Sequence, residues 1–308
     1  MKQEMVPMRK TQVPGFYRIL VGDCEVTALS DGLGKFTPDM CTPFTSRSAE
    51  ELSEMWDAVF GSRATDGTPE VSVNAFLVHT GDHLILIDAG KGDAQGDIFF
   101  EKQGLVLENL VASGYAPEDV DILLPTHLHT DHINGIASHG KRMFPHATLY
   151  LAEPERDYWL DSPLGSFPEG FRPSVQGVRD AVDAYRSSGC VKWYQPGEEI
   201  VPRITSVPLF GHTPGHSGFL VESRDEKLLV WGDMLHLAAL QLEDPEIGIV
   251  FDADVEAARE TRKKMLPRIA AEKRLVAGSH LSFPGFGHIR CDGDGYRYIP
   301  LEYRRYVR

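Results

Sequence analysis

The chain has 308 residues, 42% hydrophobic and 25% charged, a balance that excludes disordered, collagen-like and coiled-coil classes and is long enough to bury a sizeable core. Its 31 basic and 45 acidic residues give a formal charge of −14, and such a surface repels the phosphates of nucleic acids and of anionic membranes. The four cysteines, Cys24, Cys41, Cys190 and Cys291, are far apart and form no CxxC pair, so reduced, buried thiols are expected.

In chain order, the N-terminus carries no apolar core of a secretory signal, and no run approaches the ~18 apolar residues of a membrane span. A soluble, cytoplasmic protein is expected. Tyr17 to Leu29 reads as a hairpin turning at Gly22-Asp23. Ser30 to Pro69 is rich in Gly, Pro, Ser and Thr and reads as irregular, with one helical stretch around Ala49 to Phe60. Val71 to Val78 and His83 to Asp88 form a second hairpin across Thr80-Gly81-Asp82, and the run Leu84-Ile85-Leu86-Ile87 suggests a buried strand. The spacing predicts a helix over Ile98 to Ser113, stopped by Gly114, and a short buried strand over Val120 to Leu124.

The second half repeats this style. Ala147 to Leu151 reads as a strand, Glu153 to Leu160 and Ser174 to Ser188 as helices, and Ile204 to Leu209, Gly218 to Val221 and Lys227 to Trp231 as strands. Asp254 to Ile269 reads as a helix with Asp252 or Asp254 as its N-cap, and Arg274 to Ala277 as a last core strand. Strand hairpins dominate each half. The expectation is an α/β fold of the α+β kind: two sheets face to face with helices outside, and not a doubly wound parallel sheet.

The strongest chemical signal is Thr126-His127-Leu128-His129-Thr130-Asp131-His132, directly after a predicted buried strand. In extended chain His127 and His129 point the same way and can share one metal, while a following turn would swing Asp131 and His132 toward a second. Imidazole and carboxylate donors suit zinc, and also Fe, Mn or Co. Three further clusters end predicted strands: Gly211-His212-Thr213-Pro214-Gly215-His216-Ser217, Trp231-Gly232-Asp233 and Gly278-Ser279-His280. Each is weak alone; their order after the first motif makes them specific.

That order resembles the metallo-β-lactamase superfamily over Val73 to His280. The resemblance implies an αββα sandwich, with the whole chain as one domain whose core spans about residues 71–280. By resemblance His127, His129 and His212 hold a first metal, Asp131, His132 and His280 a second, and Asp233 bridges them. Asp88, in Leu86-Ile87-Asp88-Ala89-Gly90, and His216 would orient these ligands from behind.

A narrower resemblance, to methyl parathion hydrolase and lactone-hydrolysing relatives such as dihydrocoumarin-type lactonases, rests on longer strings. They are Leu29-Ser30-Asp31-Gly32, the stretch from Gly232-Asp233 to Pro245, the stretch from Gly278 to Arg290, and Gly295-Tyr296-Arg297-Tyr298-Ile299-Pro300. It implies a small-molecule substrate and a homodimer. Three residues after Asp233 stands His236, where the parathion hydrolases carry an aliphatic residue and acyl-homoserine lactonases a tyrosine. A histidine there can bond an ester oxygen or protonate a leaving group, which moves the expected substrate from phosphotriesters to lactones or aryl esters. Phe99, Trp159 and Phe251 are candidates for an aromatic pocket wall. Asp131, Asp233 and His236 are the candidate catalytic residues of a binuclear hydrolase. Competing readings are a phosphotriesterase, a glyoxalase II-like thioesterase, a ribonuclease Z-like enzyme, which the acidic charge disfavours, and a non-catalytic metal-binding module.

Overall fold

The computed structural model describes residues 8–36, 40–60, 70–93, 104–305 and 307. Its first half builds β1 (Phe16–Val21), β2 (Cys24–Lys35), α1 (Ala49–Phe60), β3 (Glu70–His79), β4 (Leu84–Ile87), α2 (Val106–Ala112), β5 (Ile122–Leu124) and α3 (Thr130–Ile133). A two-strand ribbon, β6 (Ala137–Ser138) and β7 (Lys141–Arg142), leads to β8 (Thr148–Ala152), α4 (Glu153–Glu155), α5 (Arg172–Arg186) and β9 (Val191–Tyr194). The second half builds β10 (Glu199–Val201), β11 (Ile204–Pro208), β12 (Ser217–Ser223), β13 (Glu226–Val230), α6 (Ala238–Glu243), α7 (Val255–Ala271), β14 (Leu275–Ala277), β15 (Phe286–Asp292) and β16 (Gly295–Pro300).

The strands form two seven-stranded sheets, in the orders β1-β2-β3-β4-β5-β8-β9 and β10-β11-β12-β13-β14-β15-β16. Both are mixed. The first is antiparallel through β4 and parallel from β4 to β9; the second is antiparallel except for β13 with β14.

Side-chain alternation explains why the apolar runs are buried on both faces. Phe76, Val78, Ile85 and Ile87 point between the sheets, against Phe219, Val221, Leu228 and Val230 of the second sheet. Their neighbours Leu77, Leu84 and Leu86 point outward to Leu110 of α2 and to Val175, Val178, Val182 and Tyr185 of α5. On the other side Leu229, Trp231 and Val276 meet Met265, Leu266 and Ile269 of α7. Each such buried side chain contributes about 1.5–3 kcal/mol of transfer free energy. The layers are therefore helix, sheet, sheet, helix, as expected.

Several local expectations change. β2 continues through Lys35, because Ser30 to Lys35 pairs with β3 across an irregularity between Ser30 and Gly32. Within the described part of Ile98 to Ser113, the helix covers only Val106–Ala112. Glu153 to Leu160 is one turn of α-helix followed by a π-helical turn over Arg156–Asp161. Arg274 to Ala277 is not the last core strand: β15 and β16 extend the sheet, and Phe286 is buried between the layers. Asp254, not Asp252, caps α7, accepting from Ala257 N at 3.0 Å. The cysteines are free, but Cys291 is exposed and Cys190 half-buried. Among the described residues no helix is long and apolar enough to cross a membrane.

Candidate metal centre

The chemistry-bearing residues lie where several strands end together. The turn after β4 carries Asp88, the loop after β5 carries His127 and His129 and runs into α3 with Asp131 and His132, and the β11–β12 turn carries His212 and His216. The loop after β13 carries Asp233 and His236, and the loop after β14 carries His280. Short loops on two packed sheets hold these groups in place with little freedom.

Three imidazole nitrogens form a tight triangle. His127 Nε2 is 2.8 Å from His129 Nδ1, which is 2.8 Å from His212 Nε2, and His212 Nε2 is 3.2 Å from His127 Nε2. A ring nitrogen has one in-plane proton or lone pair, so this triangle cannot satisfy itself by hydrogen bonds. A shared cation satisfies all three. Beside it, Asp131 Oδ2 lies 3.6 Å from His132 Nε2 and 3.7 Å from His280 Nε2. Asp233 Oδ2 lies between the groups, 3.1 Å from His280 Nε2, 3.3 Å from His132 Nε2, 3.4 Å from His212 Nε2 and 3.8 Å from His127 Nε2. Two donors about 2.1 Å from one ion, at angles between octahedral and tetrahedral, stand about 3.0–3.4 Å apart; the His127–His212 spacing and those of Asp233 Oδ2 to His280, His132 and His212 fall in this range.

The electrostatics also ask for positive charge. Burial opposes charging His132, but Asp233, Asp131 and Asp88 outweigh it and hold its pKa well above the ordinary value. Burial and the neighbouring imidazoles push His127 and His129 well below it. Asp233 is held well below the carboxylate range: burial works against this, but His132, His280 and His236 outweigh it. Asp233 Oδ1 is buried with no hydrogen-bond partner. Against the pull of burial, the pKa values of His212 and His280 are raised as well, by Asp233 and its neighbours, so the carboxylates draw positive charge onto the imidazoles around them. A divalent cation supplies that charge in place of the protons, and the residues fit such a group.

A second layer orients the donors. His132 Nδ1 donates to Asp88 Oδ2 at 2.8 Å, and Asp88 Oδ1 accepts from Thr126 N at 2.7 Å. His280 Nδ1 donates to Ser72 O at 3.1 Å. His216 donates from Nδ1 to Leu209 O at 2.7 Å and accepts from Asp233 N at 3.1 Å, which holds the start of that loop. Gly232 permits this approach: its φ is +55°, and a Cβ would stand 2.6 Å from His216 Nε2.

The sequence reading missed three contributors. Asp252 accepts from His212 Nδ1 at 2.9 Å and was visible only as a possible cap. Buried Glu155 accepts from Leu128 N at 2.9 Å and from Gly215 N at 2.8 Å, tying two donor loops together. Phe36 stands 5.6 Å from the His280 ring and 6.1 Å from that of His236. No local pattern marks any of them.

The pocket candidates divide. Trp159 is buried edge-on to His129 at 5.3 Å, with Phe171 6.3 Å from the same ring. Phe251 packs near His236 at 6.3 Å and against Phe36. Phe99 lies outside the described residues. His236, expected to serve an ester oxygen, both faces the donor cluster and borders a cavity. Its Nε2 is 3.0 Å from Asp233 Oδ2 and its ring stacks on His280 at 5.0 Å. Burial pushes its pKa down to about 4. A cavity of about 600 Å³ borders His236 and His280, between α6 and the β15–β16 hairpin.

Residues 68–280, which span every one of these donors, match the family described as the metallo-beta-lactamase superfamily. The chain belongs to that superfamily. A solved structure described as hydrolase AbOPH in the beta lactamase superfamily is 34% identical, with a TM-score of 0.87 over 96% of this chain and 100% of that one. AidC, a dizinc quorum-quenching lactonase solved with the product N-hexnoyl-L-homoserine, is 26% identical, with a TM-score of 0.84 over 94% of this chain and 99% of that one. An N-acyl homoserine lactonase of Bacillus cereus is 23% identical over 67% of this chain and 79% of its own length. Other curated relatives match over 56–59% of their own length. Superfamily membership and the His/Asp donor clusters together make the chain a metallo-hydrolase of this superfamily.

Proposed function

We propose that the chain is a binuclear hydrolase of lactones or aryl esters, within the methyl parathion hydrolase and dihydrocoumarin-lactonase subgroup, with organophosphate triesters as side substrates. One observation carries the reading: two donor clusters meet at a single carboxylate oxygen, Asp233 Oδ2, between aromatic walls. Likeness to a lactonase that holds an acyl-homoserine product supports a cyclic ester as substrate.

In this reading His127, His129 and His212 hold one ion, Asp131, His132 and His280 the other, and Asp233 is shared. Zinc is expected first. When bound, the ions supply Lewis acidity toward an acyl oxygen and lower the pKa of water toward ~7. The protein's part is positional. Asp88, Asp252 and the Ser72 carbonyl decide which nitrogen of His132, His212 and His280 faces inward. Asp233 Oδ1, buried, unpartnered and held ionised, can accept a hydrogen bond from the attacking water and so orient it. Trp159 and Phe171 beside His129, and Phe36 and Phe251 beside His236, exclude water and offer flat apolar faces to an aryl or acyl group.

The test is kcat/KM for dihydrocoumarin and for methyl parathion on one metal-replete preparation. A lactone preference of at least about tenfold, or 1.4 kcal/mol, is expected. A preference for the phosphotriester would make this a phosphotriesterase, and turnover of thioesters alone would make it a thioesterase. The homodimer of the subgroup belongs to the same proposal. Light scattering would then give about twice the 34.3 kDa chain mass.

A further inference from the structure

Asp233 Oδ2 has more neighbours than a carboxylate oxygen can use. Four imidazole nitrogens approach within 3.4 Å, and the nearest, at 3.0 Å, is His236 Nε2. One such oxygen accepts about two hydrogen bonds. His236 and His280 are parallel within 20°, with centroids 5.0 Å apart, and both turn Nε2 toward this oxygen. Their separations from it, 3.0 and 3.1 Å, match the spacing of ligands on one ion.

The position of His236 is built. Its backbone N–H donates to Gln241 Oε1 at 2.8 Å, and so does that of Leu237 at 3.1 Å. Gln241, fully buried, is itself anchored through Nε2 to the Ile247 carbonyl. The loop therefore delivers an imidazole to the donor cluster at a fixed height. Asp233, His236 and His280 form a donor trio that shares members with both clusters described above.

We propose that His236 is itself a metal ligand, binding through Nε2 to the ion held by His280 and Asp233. This rests on the reading of the cluster as a metal centre and not on the choice of substrate. The other inward histidines on this side have an outer partner, Asp88 for His132 and Ser72 O for His280, whereas His236 Nδ1 has none. A ligand without that support binds more weakly. His236 thus supplies an auxiliary, exchangeable bond, on the wall of the donor cluster that faces the 600 Å³ cavity. The alternative role is a hydrogen-bond donor that merely positions Asp233, with no bond to the ion.

Metal binding decides between them without any substrate. Zinc affinity would be measured by chelator competition, and the visible and proton NMR spectra recorded after cobalt substitution, for the 308-residue chain and for His236→Ala. In His236→Ala the weaker of the two zinc affinities falls about tenfold and the cobalt bands shift. In the proton NMR spectrum of the cobalt form, one paramagnetically shifted imidazole N–H resonance of the wild type is missing from His236→Ala, a loss that only direct ligation by His236 produces. Wild-type affinity and visible spectrum in His236→Ala, or the full set of shifted N–H resonances in that variant, would overturn the proposal. If the wild-type chain binds no zinc, this proposal and the metal-centre reading fall together; failure on lactones alone leaves the ligand assignment standing.

Discussion

At the scale of single residues, the donors are set by what stands behind them. Asp252 accepts from His212 Nδ1, so it selects the tautomer that leaves Nε2 free for an ion. It also accepts from Ile249 N at 3.2 Å and lies 3.8 Å from the buried Arg262 guanidinium. On the proposed metal assignment, Asp252→Ala is expected to weaken zinc binding at the His127, His129 and His212 cluster by about 10–100-fold. Chelator competition reads this directly, and circular dichroism shows whether the variant is folded. Unchanged affinity at both sites would show that His212 needs no orienting carboxylate.

At the scale of elements, the donor loops are fastened to one another as well as to their strands. Glu155, in the single turn of α4, receives Leu128 N on Oε2 and Gly215 N on Oε1. It thereby clamps the His127–His132 loop to the β11–β12 turn that carries His212. In Glu155→Gln one acceptor becomes an NH2 group facing a backbone N–H. A buried donor left without a partner costs about 1–3 kcal/mol, which urea unfolding would report. The loss should be accompanied by weaker zinc binding, because both loops lose their tie. A stable variant with intact metal affinity would mean that the sheets alone position the loops. Asp31 plays a comparable structural part: its carboxylate accepts from Lys91 N, Gly104 N and Val106 N and so fixes the start of α2.

At the scale of the whole molecule, the site lies across both sheets. Asp88 and His127 to His132 follow strands of the first sheet; His212, Asp233 and His280 follow strands of the second. An ion bound there cross-links the halves, and a ligand that binds only the folded state stabilises it by mass action. Stripping metal with a chelator is expected to lower Tm by several degrees, with recovery on adding zinc. With a free ion at 100 times its Kd, the contribution is about 2.7 kcal/mol. A Tm indifferent to chelator and zinc would count against the centre altogether.

Much of this was legible from local pattern. Apolar runs such as Leu84 to Ile87 announced buried strands, and strand ends followed by His and Asp announced donors. The chain order of His127 to His132, His212, Asp233 and His280 carried the family resemblance. These signals are local, since hydrophobic period and motif spacing depend only on neighbours in sequence. What tertiary structure alone decided is which distant groups meet. Phe36 reaches His280 across 244 positions, Ser72 receives His280, and Asp252 receives His212, all through strand registers and loop paths that no window of sequence encodes. The direction of His236 belongs to the same class. Its spacing from Asp233 was visible, but the stacking on His280 that turns it toward the metal centre exists only once β13 and β14 lie side by side.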